Sequence, residues 1–281
     1  MDRPLGATHV ALATPFSSSG AIDEAALAAH VAWLAERGVD GLLLAGTTGE
    51  GPLLEDDEVV AVVRCAARAA EGRVALVAQV GRPSTRATLA LARRAVEAGA
   101  TVLAAVVPYY FKVDGPRLRA HDVALLDAEL GVPVLAYTIP QHTGNELEPE
   151  DLELLVAAGL AGVKDSTKSL ARHAAYAEAI GHARPDGPIA LVNGSDPMLV
   201  AARRAGGTGS MTAMANVVPH VIAALQAAAD AGRWEDAEDE QERLNAARAS
   251  LRPGGTAAAV KAAIAAELTD VDYPTGVRAP L

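Results

Sequence analysis

The chain reads as an α/β protein, a (β/α)8 TIM barrel with additional C-terminal helices, and three features of its pattern predict that class. Short β-branched runs alternate with longer, alanine-rich stretches of helical period. The alternation returns at a step of roughly 30 residues and yields eight strand-plus-helix units, the number a closed parallel barrel needs. The strand candidates are apolar nearly throughout, as a sheet covered on its outer side by helices requires. An open, doubly wound sheet would have fewer strands and a glycine-rich ligand loop after the first. Here the first strand runs into Thr14-Pro15-Phe16, which is no such loop.

Taken in order, the predicted strands cover residues 9–16, 41–45, 74–80, 101–107, 132–139, 162–165, 189–192 and 209–212. Most of the helical stretches between them close on a glycine: Gly38, Gly72, Gly99, Gly131, Gly159 and Gly206. Glycine just past a helix adopts the left-handed cap at little steric cost. Beyond the eighth unit, further helices are expected near residues 233–251 and 256–268. In the first of these, Trp234, Ala237, Gln241, Leu244, Ala247 and Leu251 recur every three or four residues and make one packing face. Its acidic residues form a solvated face. The chain thus divides into a barrel, residues 1–231, and a helical appendage, residues 232–281, that closes one side of it.

Composition narrows the function. Of the 281 residues 51% are apolar but only 3% aromatic, which favours close helix-on-sheet packing over an all-β sandwich. The 35 acidic and 24 basic residues give a formal charge of −11, and no basic run offsets it, so nucleic acid is not an expected partner. The one cysteine, Cys65, excludes an intrachain disulfide and lies in a helical pattern as a small buried hydrophobe. The first residues lack the layout of a signal peptide, and no apolar run reaches the roughly 20 residues of a membrane span. A cytoplasmic location is expected. The seven histidines (His9, His30, His121, His142, His173, His182, His220) show no metal-ligand spacing, so no metal is expected.

In a closed barrel the reacting groups sit at the C-terminal strand ends. The second strand runs into Gly46-Thr47-Thr48-Gly49-Glu50-Gly51, which suits either a carboxylate cradle or a turn with satisfied hydroxyls. The fourth ends in Pro108-Tyr109-Tyr110, a pair suited to a site or to interface packing. Tyr137 lies on the fifth, where its phenol can reach the mouth and move protons, and Gln141-His142-Thr143-Gly144 follows. The sixth carries Lys164 inside Gly162-Val163-Lys164-Asp165. Burying an ammonium is costly, and a lysine kept neutral is a nucleophile towards carbonyls. The alternatives are a lysine that reaches solvent or pairs with Asp165. The seventh ends in Asn193-Gly194-Ser195-Asp196, where Ser195 or Asp196 suits a helix cap. The eighth, Gly206 to Thr212, bares backbone to a ligand without matching a dinucleotide fingerprint.

These segments, in this order and with Lys261 and Val277-Arg278-Ala279-Pro280-Leu281 at the end, resemble the dihydrodipicolinate synthase/N-acetylneuraminate lyase family. The resemblance spans essentially the whole chain. It implies a class I mechanism in which Lys164 condenses with the C2 carbonyl of pyruvate or another 2-keto acid. Tyr137 would move protons, and Thr47 would link it to Tyr110 of a neighbouring subunit. Thr48, with the backbone of Thr47, would hold the substrate carboxylate, and the Met211 carbonyl would help to position it. No separate cofactor is implied, because the lysine imine replaces one. The partners would be a small keto acid and an aldehyde, and the assembly a homotetramer.

One position departs from the pattern. The lysine-biosynthesis members carry arginine where this chain has His142, a substrate-binding candidate that lacks the bidentate guanidinium fork. Together with Asp165 and Gly51-Pro52, this inclines the reading towards aldolases of 2-keto-3-deoxy sugar acids. The alternatives are 4-hydroxy-tetrahydrodipicolinate synthase, a dehydratase of keto-deoxy sugar acids, and a sensor that binds a keto acid without turnover. Presence of Lys164, Tyr137, Thr47 and Tyr110 together argues against the sensor, since binding alone needs no proton relay.

Overall fold

Eight parallel strands close on themselves in chain order. They are β1 (Thr8–Ala11), β2 (Gly41–Leu44), β3 (Ala75–Gln79), β4 (Val102–Val106), β5 (Val134–Thr138), β6 (Gly162–Asp165), β7 (Ala190–Asn193) and β8 (Gly209–Thr212). The last pairs back onto β1, Met211 beside His9. Around them run α1 (Glu24–Ala35), α2 (Asp56–Ala70), α3 (Thr85–Glu97), α4 (Gly115–Leu126), α5 (Pro140–Thr143), α6 (Pro149–Ala157), α7 (Leu170–Ala183), α8 (Leu199–Arg204) and α9 (Pro219–Asp230). Then follow α10 (Trp234–Ser250) and α11 (Ala257–Glu267). This computed structural model describes residues 5–185, 187, 189–251 and 257–281. The first four residues, and Thr256 at the edge of the expected last helix, lie outside the described residues.

Side chains alternate across a strand, so the closed sheet has an inside and an outside. Leu43, Val77, Ala104, Leu135, Val192 and Met211 pack together inside the barrel. Their sequence neighbours Leu42, Leu44, Leu76, Leu103 and Leu191 face outward, into the larger cluster shared with the helices. Asp23, Ser84, Asp114 and Ser169 cap α1, α3, α4 and α7 by accepting a backbone N–H, which satisfies donors that a helix start leaves free. All six glycines expected to close helices have positive φ, between 72° at Gly38 and 110° at Gly99. Cys65 is buried in α2 with its thiol 3.3 Å from the Glu24 carbonyl, and burial pushes its pKa up. No helix among the described residues is long and apolar enough to cross a membrane.

The first strand is shorter than its apolar run. Leu12 N–H still donates to the Leu43 carbonyl, and residues 13–16 leave the ladder. Ala13 N–H donates to Asn216 Oδ1, Thr14 Oγ1 to the Gly49 carbonyl, and Phe16 bridges to Ile22. Neither residue expected to cap the helix after β7 does so, since the turn Asp196–Met198 has no side-chain cap bond. In α10, Ala237 and Leu244 are fully buried, and Gln241 joins Val200 N–H to the Asp196 carbonyl.

The C-terminal segment is tied to the turn after β2. Lys261 on α11 is fully buried and donates to Glu50 Oε1 at 2.5 Å and to the Gly276 carbonyl at 2.8 Å. The other Glu50 oxygen accepts the Arg278 N–H at 2.8 Å, while the Arg278 guanidinium grips Glu58 on α2. Both cations lie over the Phe16 ring, at 4.3 and 4.4 Å. Removing one member of a buried pair strands the other, at a cost of about 3–5 kcal/mol. Lys261→Met should therefore lower unfolding stability by about that amount in a urea titration, and adding Glu50→Gln should restore part of it.

Asp122 on α4 is buried, and desolvation pushes its pKa up to about 7. The folded chain then binds a proton that the unfolded chain releases above its ordinary value, so stability falls as pH rises from about 4 through about 7. Asp122→Asn should raise the melting temperature at pH 8 and change it little at pH 4.

Candidate active site

The period of two on β6 decides which way its two charged residues point. Val163 and Asp165 face the helices, and Lys164 faces the barrel interior. Asp165 accepts from His173 Nδ1 on α7 at 2.8 Å and from Thr167, so its carboxylate is engaged on the outer side. The expectation that Asp165 could pair with Lys164 is overturned by this geometry. Lys164 is 4% exposed, which also removes the reading of a lysine that reaches solvent. Its Nζ donates to Ser166 Oγ at 3.0 Å and lies 3.8 Å above the Tyr137 ring.

Tyr137 is the β5 residue in register with Lys164, so adjacent strands deliver the phenol and the amine to one level of the barrel. The Tyr137 hydroxyl is 3.0 Å from Thr47 Oγ1. Thr47 and Thr48 sit in a tight turn between Ala45 and Glu50, both with positive φ, 54° and 57°. The turn closes through Gly51 N–H to the Gly46 carbonyl, and a side chain at Gly51 would collide with the Ala45 carbonyl. Met211 on β8 is buried in the interior cluster. On β7's end, Gly194 leaves space for the amine's partner. A Cβ there would collide with Ser166 Oγ and lie 3.2 Å from Lys164 Nζ.

Tyr110 is not brought to Tyr137 within one chain. It stands 87% exposed, with φ of 78°, edge-on to Phe111, which is 71% exposed.

A cleft opens at the mouth beside Tyr137, with Thr47, Gln79, Arg82, Tyr109 and His142 among its walls. Lys164, Thr48 and Met211 do not line it, so the amine meets the cleft across the Tyr137 ring. Ser166, Gln79 and Arg82 were not singled out in the sequence as site residues. The strand-end rule that found Lys164 reaches Arg82 too, because a charged residue ends the third strand in Val80-Gly81-Arg82. Among the described residues, no group of three or more His, Cys, Asp or Glu could hold a metal ion.

Comparison with known proteins agrees with this geometry. The model of the dihydrodipicolinate synthetase family matches residues 4–281. The chain is 37% identical over 236 residues to the 4-hydroxy-tetrahydrodipicolinate synthase of Agrobacterium fabrum, covering 83% of this chain and 78% of that one. It is 36% identical to 4-hydroxy-tetrahydrodipicolinate synthase 1 of Streptomyces coelicolor, over 99% of this chain and 88% of the relative. Among solved structures, dihydrodipicolinate synthase from Aquifex aeolicus superposes with a TM-score of 0.90 at 27% identity, covering 98% and 92% of the two chains. A prophage protein of the same family from E. coli, solved in complex with pyruvate, superposes at 0.89 with 27% identity and the same coverage. The chain belongs to the dihydrodipicolinate synthetase family and is a lyase of that family.

The space at Gly194 offers a direct test. Gly194→Ala should rotate the Ser166 hydroxyl away and free the Lys164 amine from its hydrogen bond to Ser166, with little change in melting temperature. Turnover should fall about 10- to 100-fold, since small misplacements of a reacting group cost that much.

Proposed function

We propose that the protein is a class I lyase that forms a Schiff base between Lys164 and pyruvate or a 2-keto-3-deoxy acid. The observation that carries the reading is the buried Lys164 amine between the Ser166 hydroxyl and the Tyr137 ring, with Tyr137 hydrogen-bonded to Thr47. The free amine attacks the C2 carbonyl, and the carbinolamine loses water to leave a protonated imine. Its nitrogen takes up the electron pair when the C3–C4 bond of a keto acid breaks. In the synthetic direction, loss of a C3 proton gives an enamine whose C3 attacks an aldehyde. Tyr137, oriented by Thr47, carries the protons of these steps. Thr48 and the Thr47 backbone hold the keto-acid carboxylate, with the Met211 carbonyl beside it. The covalent imine takes the place of a separate cofactor.

The reading includes a cytoplasmic homotetramer in which Tyr110 of a neighbouring copy completes the relay through Thr47. The exposed Tyr110–Phe111 pair supports this, because neighbouring exposed aromatics mark contact surfaces. Two acceptor classes compete. The names of the relatives favour aspartate semialdehyde, the substrate of a 4-hydroxy-tetrahydrodipicolinate synthase. His142 in place of arginine favours a sugar-derived aldehyde, and a dehydratase of keto-deoxy sugar acids would share the same imine.

Borohydride reduction with pyruvate, followed by peptide mass spectrometry, should place a stable adduct on Lys164. Folded Lys164→Ala should form none and should lose at least about 1,000-fold in turnover. Absence of an adduct on the wild-type peptide would leave only the sensor reading.

A further inference from the structure

We propose that Arg82, at the rim of the cleft beside Tyr137, holds an anionic group on the aldehyde partner and thereby sets which aldehyde is accepted. The inference rests on the class I reading above and adds the class of the second substrate: a short aldehyde ending in a carboxylate or a phosphate.

The backbone delivers this side chain to the cleft. Gly81 passes so close to β4 that a Cβ would collide with Val106 N and O. The Arg82 N–H then donates to Thr88 Oγ1 on α3 at 2.9 Å, which pins the residue against the start of that helix. From there the side chain runs along the cleft wall and is only 11% exposed.

The guanidinium is anchored at one end and lacks a partner among the described residues at the other. Nε donates to Asp56 Oδ1 on α2 at 2.9 Å, and Nη1 donates to the Gly81 carbonyl at 3.3 Å. A guanidinium has five N–H donors. Among the described residues two are engaged, so three remain, and Nη2 is buried with no hydrogen-bond partner. An unmet donor on a buried charged group is costly, and native structures rarely leave one without a role. A structural ion pair with Asp56 accounts for the Nε end and leaves the Nη2 end unexplained. The planar fork suits carboxylate or phosphate oxygens.

Position makes the anchor selective. Tyr137 and Thr47 share the cleft with Arg82. An aldehyde with its carbonyl at the Tyr137 hydroxyl therefore extends its far end along this wall. His142 also lines the cleft and supplies no fork. Arg82 is a binding residue from a different strand end, β3 in place of β5.

The test compares kcat/KM for three aldehydes with pyruvate: succinic semialdehyde, glyceraldehyde 3-phosphate and uncharged glyceraldehyde. Wild type should favour one of the anionic aldehydes, and which one separates carboxylate from phosphate. In Arg82→Ala the preference for that aldehyde over glyceraldehyde should fall about 100-fold, with Arg82→Lys between the two. Equal losses on charged and uncharged aldehydes, or a wild type that prefers glyceraldehyde, would overturn the proposal. Borohydride trapping of pyruvate on Lys164 should persist in Arg82→Ala, which separates this idea from the imine itself. If wild type traps no pyruvate, the class I reading fails, and calorimetric titration with succinate and with inorganic phosphate decides the anion site alone. Binding lost in Arg82→Ala supports it, and no binding to wild type, or equal binding to both, overturns it.

Discussion

A closed sheet gives every strand residue one of two addresses, and the chemistry of this protein depends on how β6 assigns them. Lys164 turns inward, where Ser166 is its hydrogen-bond partner and Tyr137 its nearest ring, and Asp165 turns outward to His173. A shift of one residue in register would exchange the two charges. Two features oppose that shift. Gly162 packs so closely on the Ala190 backbone that a side chain could not take its place. Asp165, at the other end of the strand, is bound to the buried His173 on α7. The amine thus faces the barrel interior, separated from Asp165 and set across the Tyr137 ring from the cleft.

The second constraint lies at the turn after β2. Thr47 and Thr48 occupy a backbone path that includes two non-glycine residues with positive φ, Ala45 and Glu50. Such a path is sparsely populated and persists where surrounding contacts over-determine it. Here the contacts come from far along the chain, through the Lys261 ammonium and the Arg278 N–H on Glu50. The last helix and the tail after it therefore hold the turn that carries the Thr47 hydroxyl to Tyr137, and their role exceeds that of a cover on the barrel's side.

Much of this was legible in the residues. The eight units, the helix-ending glycines and the inward lysine follow from local periodicity and from the cost of burying a charge. Lys164, Tyr137 and Thr47 stand at strand ends as groups that a core would not choose, and the structure places them together. Strand limits were less legible. The apolar run from His9 to Phe16 reads as one strand, yet residues 13–16 leave it, because Asn216 and Gly49 compete for the Ala13 backbone and the Thr14 hydroxyl. The cap expected at Ser195 or Asp196 is not formed: the Ser195 hydroxyl makes no cap bond, and the Asp196 carboxyl turns towards Thr212 and Met214.

By itself the sequence determined the class of fold and the residues whose chemistry is unusual for their setting, since pattern and composition are local properties of the chain. Only the tertiary structure decided their partners. That Asp165 belongs to His173, that Glu50 is held by Lys261 some 211 residues away, and that Arg82 lines the cleft with an unmet donor are facts of folded distance. No periodicity encodes them. They arise when barrel closure brings separate strand ends to one rim, where hydrogen bonds and burial select among the pairs that the chain made possible.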